Sequence, residues 1–286
     1  MIQSMTGFGK ATLQLPTKKI TVEVKSLNSK GLDLNVRMPS LYREMELGLR
    51  TQIASTLERG KVDFSIYIES TAEQTSTKVN VPIVKAYINQ LREVYADADE
   101  TELMKMAVRM PDTMKVEREE IDEKEWGLIK NVINDSLNNI LSFRKDEGAS
   151  LEKEFQLRIG NIRQYMNDAL ALDPERVQAI KDRLQTAIDE LKVNVDENRF
   201  EQELIYYLEK LDITEEKVRL TNHLDYFLET IKGTEANGRK LGFITQEMGR
   251  EINTMGSKSN HAQMQKLVVM MKDELEKIKE QVLNVL

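Results

Sequence analysis

Cysteine does not occur anywhere in the 286 residues. A disulfide framework, a thiolate zinc site and a cysteine nucleophile are therefore excluded together. Aromatic residues are scarce, at 6%, and helix-favouring Glu, Lys, Leu and Met dominate the last two thirds, which predicts a mostly helical protein. No apolar run is long enough to span a bilayer. Residues 1–6 carry neither the basic start nor the apolar core of a secretory signal. The expectation is a cytoplasmic protein with no membrane partner.

The hydrophobic fraction of 40% with 31% charged residues is globular composition, and the length suits one elongated domain or two. The net charge of −7 argues at face value against nucleic acid. The charge is uneven, however: residues 1–70 hold ten Lys/Arg against seven Asp/Glu, so the acidic surplus lies in the remainder. A basic head on an acidic body permits a local phosphate-binding surface.

Ile20, Val22 and Val24, then Leu32, Leu34 and Val36, occupy alternate positions as in strands, and Leu27-Asn28-Ser29-Lys30-Gly31 between them predicts a hairpin turn. Ser40 suits the N-cap of a helix over 41–58, with Gly60 as its left-handed cap. Val62, Phe64, Ile66 and Ile68 predict a further strand. A helix is expected near 83–97, a short one follows, and helices dominate from about 119. Residues 148–196 read as a protruding antiparallel helix pair with Pro174 in the first turn of its second helix. The fold class is thus α+β: an N-terminal antiparallel sheet with helices, then a mostly helical part with a long helical hairpin. The expected divisions are 1–147, 148–200 and 201–286. In the last helix Met264, Val268, Met271, Leu275, Ile278, Val282 and Val285 step by alternating fours and threes. That seam serves either the chain's own core or a subunit contact.

Residues 246–258 carry the densest chemistry. On a helix Glu247, Glu251, Thr254 and Lys258 fall within roughly 60°, and Gln246, Arg250, Asn253 and Ser257 form a stripe beside them. Ile244, Met248, Ile252 and Met255 take the opposite, core-facing arc. A second helix over 212–231 aligns Asp212, Glu216, Arg219 and His223 on one polar stripe, His223 being one of two histidines in the chain. With no thiolate available, any metal site here is built from carboxylates, imidazole and water, which favours Mg²⁺ or Mn²⁺. Glu247 and Glu251, one turn apart, can address one ion. Arg219, Arg250 and Lys258 can neutralise charge developing on a phosphate. His223 suits either a third ligand or a general acid/base. Lys25, Arg37, Arg239 and Lys240 are candidate contacts to a phosphate backbone, and Asn253 and Ser257 on the polar stripe are further binding candidates.

Several blocks resemble one family in order along the chain. Ser4-Met5-Thr6-Gly7-Phe8-Gly9 is similar to the opening of the YicC/YloC family, as are Glu23-Val24-Lys25-Ser26-Leu27-Asn28 and Leu32-Asp33-Leu34-Asn35-Val36-Arg37-Met38-Pro39. Arg59-Gly60-Lys61-Val62, Arg144 with Glu147-Gly148, and Asp212-Ile213 through His223-Leu224 also fit. Gly238-Arg239-Lys240-Leu241 leading into 246–258 fits best. The resemblance implies a metal-dependent endoribonuclease acting on single-stranded RNA and assembled as a ring-like homo-hexamer. Gly242, Gly249 and Ser29 depart from that pattern, standing where relatives usually carry Asp, often Asn, and a basic or His residue. Two rival readings stand beside it: a non-catalytic oligomeric adaptor that presents RNA to another nuclease, and a structural oligomer whose polar stripes are subunit contacts. The paired carboxylates favour the enzyme, since a pure RNA clamp gains nothing from negative charge beside phosphates.

Overall fold

One helix threads both hydrophobic cores of the chain. The computed structural model describes residues 2–70, 77–116, 123–191, 197–233 and 237–286. Its spine is α4 (Glu123–Ala171, 49 residues), about 73 Å long at the ordinary helical rise. The first half of α4 buries Trp126, Ile129, Val132, Ile133, Leu137 and Ile140 against an N-terminal sheet. The second half buries Leu151, Phe155, Ile159, Ile162 and Met166 among the C-terminal helices.

The sheet consists of β1 (Gly7–Gln14), β2 (Lys18–Leu27), β3 (Leu32–Arg37) and β4 (Gly60–Ser70) in the order β1-β2-β4-β3. Its buried face follows the alternation, with Ile20, Val22, Val24, Val62, Phe64 and Ile66 inward. The sheet is mixed rather than antiparallel. β2 pairs antiparallel with β1 and β4, but β3 runs parallel to β4. The predicted hairpin over 27–31 does not form. A period-two pattern fixes which face is buried but not which strand is the neighbour. Here the helix α1 (Glu46–Leu57) connects β3 to β4 and makes the crossover that a parallel pair needs. The 27–31 segment turns elsewhere: Asn28 Nδ2 donates to the Leu283 carbonyl at 2.7 Å. Ser40 opens a 3₁₀ turn (Ser40–Met45) ahead of α1. The positive φ after α1 falls on Glu58 (52°), while Gly60 (127°) enters β4, where a Cβ would stand 2.7 Å from Ser26 Oγ.

A small satellite follows. Strands β5 (Thr77–Val79) and β6 (Met114–Val116) pair antiparallel around the helices α2 (Val81–Val94) and α3 (Glu100–Ala107). Beyond α4 come α5 (Asp173–Leu191), α6 (Glu197–Lys210), α7 (Thr214–Lys232), α8 (Gly238–Lys258) and α9 (Ala262–Val282). Pro174 sits in the first turn of α5, as read from the sequence. The segment 148–171, however, does not form the first arm of a protruding pair: it is the continuous second half of α4, packed in the helical core. Leu184 and Ile188 of α5 and Phe200 and Tyr207 of α6 line a shared groove. The α9 seam is also settled: Met264, Val268, Met271, Leu275, Ile278, Val282 and Val285 are all buried in the chain's own core. The subunit-contact reading of those residues therefore falls.

At the waist of α4 lies Arg144, 1% exposed. It donates to the carbonyls of Leu57 (3.2 Å), Met5 (3.2 Å) and Arg59 (3.2 Å) and to Ser26 Oγ (2.6 Å). Burial holds its guanidinium below the ordinary arginine value, partly offset by the charge of Glu58. One side chain thus ties together the N-terminal segment, β2 and the end of α1. The C-terminal residues close the other side of the joint: Met5 N donates to Asn284 O (2.7 Å), Leu286 N to Gln3 O (2.9 Å), and Asn237 N to Leu286 O (3.1 Å).

Close backbone packing at this joint makes a sharp contrast within one helix. A Cβ on Gly148 would lie 2.1 Å from the Ile2 carbonyl oxygen, whereas one on Gly160 would meet nothing within 4 Å. Gly148→Ala is expected to destabilise by about 1–3 kcal/mol through overpacking, and Gly160→Ala to stabilise by up to about 1 kcal/mol through helix propensity. Urea denaturation of the two variants tests the contrast; equal midpoints would contradict the close approach.

Candidate active site

The polar stripes read from the sequence fall on α7 and α8, which pack as an antiparallel pair. Leu220, Leu224, Phe227 and Ile231 of α7 meet Leu241, Ile244, Met248, Ile252 and Met255 of α8, all 5% exposed or less. The start of α7 is organised by Asp212, whose carboxylate accepts from Thr214 Oγ1 (2.7 Å) and Thr214 N (3.2 Å). The Thr214 hydroxyl bond holds that carboxyl below its usual range. The start of α8 is organised by Gly238, where a Cβ would stand 2.4 Å from the Val285 carbonyl oxygen.

The open end of the pair is clasped by Lys258. Its ammonium donates to Glu216 Oε1 at 2.7 Å and to the Asp212 carbonyl at 2.9 Å. Arg176 of α5, itself buried, donates to the carbonyls of Lys258 (3.2 Å) and Leu211 (2.9 Å). Lys258 is therefore committed to a nearly buried carboxylate and joins the helices; it does not stand free to meet a phosphate, as the sequence reading had it. Arg219 is exposed and ion-paired with Glu215 one turn away, and Arg250 is exposed and paired with Glu247 at 2.8 Å. Exposed pairs of this kind are worth little, so both guanidiniums can exchange partners for a phosphate cheaply.

Glu251 is the exception among the buried charges. It is 9% exposed and, among the described residues, has no hydrogen-bond or ion-pair partner. Arg144, Arg176, Glu216 and Glu274 are as buried, and each is bonded. The carboxylate oxygens of Glu251 are not among the buried unbonded atoms, whereas Glu216 Oε2 is, so the Glu251 carboxylate reaches solvent while the rest of the side chain is covered. Glu251 lies two turns before Lys258 on α8, and His223 lies two turns after Glu216 on α7. The faces that meet in the Glu216–Lys258 bond thus also carry Glu251 and His223. His223 is half-buried and, like Glu251, has no partner among the described residues.

Among the described residues no three His, Asp or Glu side chains stand grouped to hold a metal ion, so Glu247, Glu251 and His223 are not gathered as one ligand set. Glu251, read from the sequence as part of the polar stripe opposite the core-facing arc, lies at the border of the core. Spacing on one helix cannot show how deep the neighbouring helix buries each edge. The donor set still suits a hard cation, since Mg²⁺-like ions are commonly held by one or two carboxylates with water and substrate phosphate supplying the rest.

The second stripe is exposed throughout, at Gln246, Arg250, Asn253 and Ser257. The Ser257 hydroxyl donates back to the Thr254 carbonyl at 2.9 Å. Arg239 and Lys240 are exposed in the first turn of α8, and the Lys240 ammonium lies 4.7 Å from the Tyr226 ring centre. In the head, Lys25 and Arg37 are exposed on the sheet face away from α4, Lys25 lying 5.6 Å from the Phe8 ring. A side chain on Gly242 would meet nothing within 4 Å, and one on Gly249 would touch Leu275 Cδ2 at 3.4 Å. Packing therefore does not require glycine at Gly242. Sequence reasoning missed the roles of Glu216, Lys258 and Arg176 as a clasp, because their partners lie on other elements.

The two-part organisation matches known proteins over its full extent. Residues 2–153 match the model of the N-terminal region of YicC-like endoribonucleases, and residues 170–286 match the model of their C-terminal part. The chain belongs to the YicC-like family. Among curated relatives, the Probable endoribonuclease YicC of Clostridioides difficile strain 630 is 32% identical over 293 residues, covering all of both chains. The protein of the same name from Haemophilus influenzae is 30% identical over 287 residues, covering 99% of each. The YicC-like C-terminal region includes α7, α8 and α9 whole, and thus the unpaired Glu251, His223 and the Lys258 clasp. Among the described residues, no helix is long and apolar enough to cross a membrane.

Proposed function

We propose that the chain is a metal-dependent endoribonuclease that cleaves single-stranded RNA on the α7–α8 face, serving RNA turnover in the cytoplasm. The observation that carries this reading is Glu251: a largely covered side chain whose carboxylate has no counter-charge among the described residues, one turn from a second carboxylate, in a family whose relatives are named endoribonucleases. Glu247 and Glu251 would hold Mn²⁺ or Mg²⁺, which when bound supplies Lewis-acid stabilisation of a phosphodiester and its leaving oxygen. Arg250 and Arg219 leave their exposed intrahelical pairs to bind the phosphate, so that negative charge gathering on its oxygens is met by guanidinium donors. His223, half-buried and with no hydrogen-bond partner among the described residues, gives or takes a proton at the reacting oxygens. Lys258 keeps the two helices in register and leaves the reaction alone. Lys25, Arg37, Arg239, Lys240, Asn253 and Ser257 contact the strand outside the reacting phosphate, and the active form is a homo-oligomer, a hexamer by resemblance to the family.

The adaptor reading differs in one result. Purified protein with an end-labelled single-stranded RNA is expected to yield internal cuts when Mn²⁺ is added and none when EDTA is in excess. Binding without cuts under both conditions would establish the adaptor instead. Light scattering at micromolar concentration is expected to return a multiple of the 33.0 kDa chain mass; a monomeric mass would remove the oligomer.

A further inference from the structure

We propose that Phe243 and the Tyr226–Lys240 pair form a nucleobase-stacking site beside the candidate cleavage residues, a place for one unstacked base of single-stranded RNA. The proposal rests on the reading of the α7–α8 face as an RNA site and adds to it a position that reads the base rather than the phosphate. Phe243 is 61% exposed and Tyr226 45% exposed. On α8, Phe243 shares an arc of roughly 80° with Lys240, Glu247, Arg250 and Thr254, on the side away from Ile244, Met248, Ile252 and Met255. The ring therefore contributes nothing to the core that the core-facing arc does not already supply. Lys240 lies three residues before Phe243, close enough for side-chain contact on a helix surface, and its ammonium stands over the Tyr226 ring at 4.7 Å. One exposed ring carries the Lys240 ammonium, a second exposed ring stands three residues further along the same helix face, and Glu247 follows one turn beyond Phe243.

The surroundings select the occupant. An apolar protein partner needs a continuous apolar patch, but the neighbours of Phe243 on this face are Lys240, Gln246, Glu247 and Arg250. Isolated rings interleaved with cations are the composition of single-strand grooves, where each base presents a face to stack on and each phosphate a charge to meet. A base held on Phe243 would place its own strand along the stripe that carries Glu247 and Arg250.

The test uses the full chain and single-stranded RNA oligonucleotides that carry 2-aminopurine at successive positions, titrated without metal so that no strand is cut. Stacking on a ring is expected to quench the probe at one position in the wild type. Phe243→Leu, which keeps the apolar bulk and removes the ring, is expected to lose that quench and about 10-fold in affinity, whereas Phe243→Trp and Tyr226→Phe retain both. With Mn²⁺ present, replacing the same base by an abasic site is expected to raise KM about 10-fold for the wild type and to leave Phe243→Leu unaffected, because the lost contact is already gone. Phe243→Leu that binds and quenches as the wild type does would overturn the site. So would a variant whose oligomeric mass falls while its RNA affinity stays unchanged, since the ring would then be a subunit contact. A wild type that quenches but never cleaves would sink the endoribonuclease reading and leave the stacking site standing.

Discussion

Glu251→Gln is expected to lower Mn²⁺-dependent cleavage by two orders of magnitude or more without lowering stability. The amide keeps shape and hydrogen-bonding capacity but removes the negative charge that a hard cation requires. Glu251 is 9% exposed and has no hydrogen-bond or ion-pair partner among the described residues, so the amide breaks no bond there. In the absence of metal the variant should melt at the wild-type temperature. Glu247→Gln should also abolish most cleavage, but it loses the 2.8 Å pair with Arg250, an exposed i,i+3 contact worth only about 0.2–0.5 kcal/mol. RNA binding should survive both changes, because a like charge has left the neighbourhood of the phosphates. A fall in melting temperature that matches the fall in cleavage would make Glu251 a structural residue.

Arg144→Met should be the most destabilising single change in the head, by about 3–5 kcal/mol. Four acceptors on three segments converge on one guanidinium: the carbonyls of Leu57, Met5 and Arg59 and the Ser26 hydroxyl. Removing the guanidinium loses four charge-assisted hydrogen bonds at once, each worth about 1.5–3 kcal/mol, although the Met5 carbonyl keeps Ser26 Oγ and the Leu57 carbonyl keeps Arg59 N. Arg144→Lys should recover little, because one ammonium lacks the planar fork that reaches separated acceptors. Chemical denaturation followed by circular dichroism measures both. A variant within 1 kcal/mol of wild type would show that the waist is held by the apolar cores alone.

Much of this architecture was legible in the sequence, and the failures share a cause. The apolar alternation placed Ile20, Val22, Val24, Val62, Phe64 and Ile66 on the buried face, and the helical period placed Ile244, Met248, Ile252 and Met255 inward, because both patterns are local. Which strand lies beside which is not local, so β3 was given to β2 when it belongs beside β4. The charged segment 148–171 reads from sequence as one arm of a protruding helix pair, yet α4 has enough apolar positions on one edge to sit inside the helical core. The heptad seam of α9 was legible as a buried face, but not whether another chain or its own buried it. In the candidate site, the sequence gathered Glu247, Glu251, His223 and Arg250 on two helices that do pack together. It could not reveal that Lys258 is engaged by Glu216, since those residues are 42 positions apart. Nor did it mark Phe243 and Tyr226, whose significance lies in their exposure.

The most direct test of the central claim is cleavage of one labelled single-stranded RNA by the wild type and by Glu247→Gln/Glu251→Gln, purified side by side and assayed with Mn²⁺ and with EDTA. The wild type is expected to cut internally with Mn²⁺ and to stop in EDTA, while the double variant binds the RNA and yields no product in either. Undiminished, EDTA-sensitive cutting by the double variant would contradict the site.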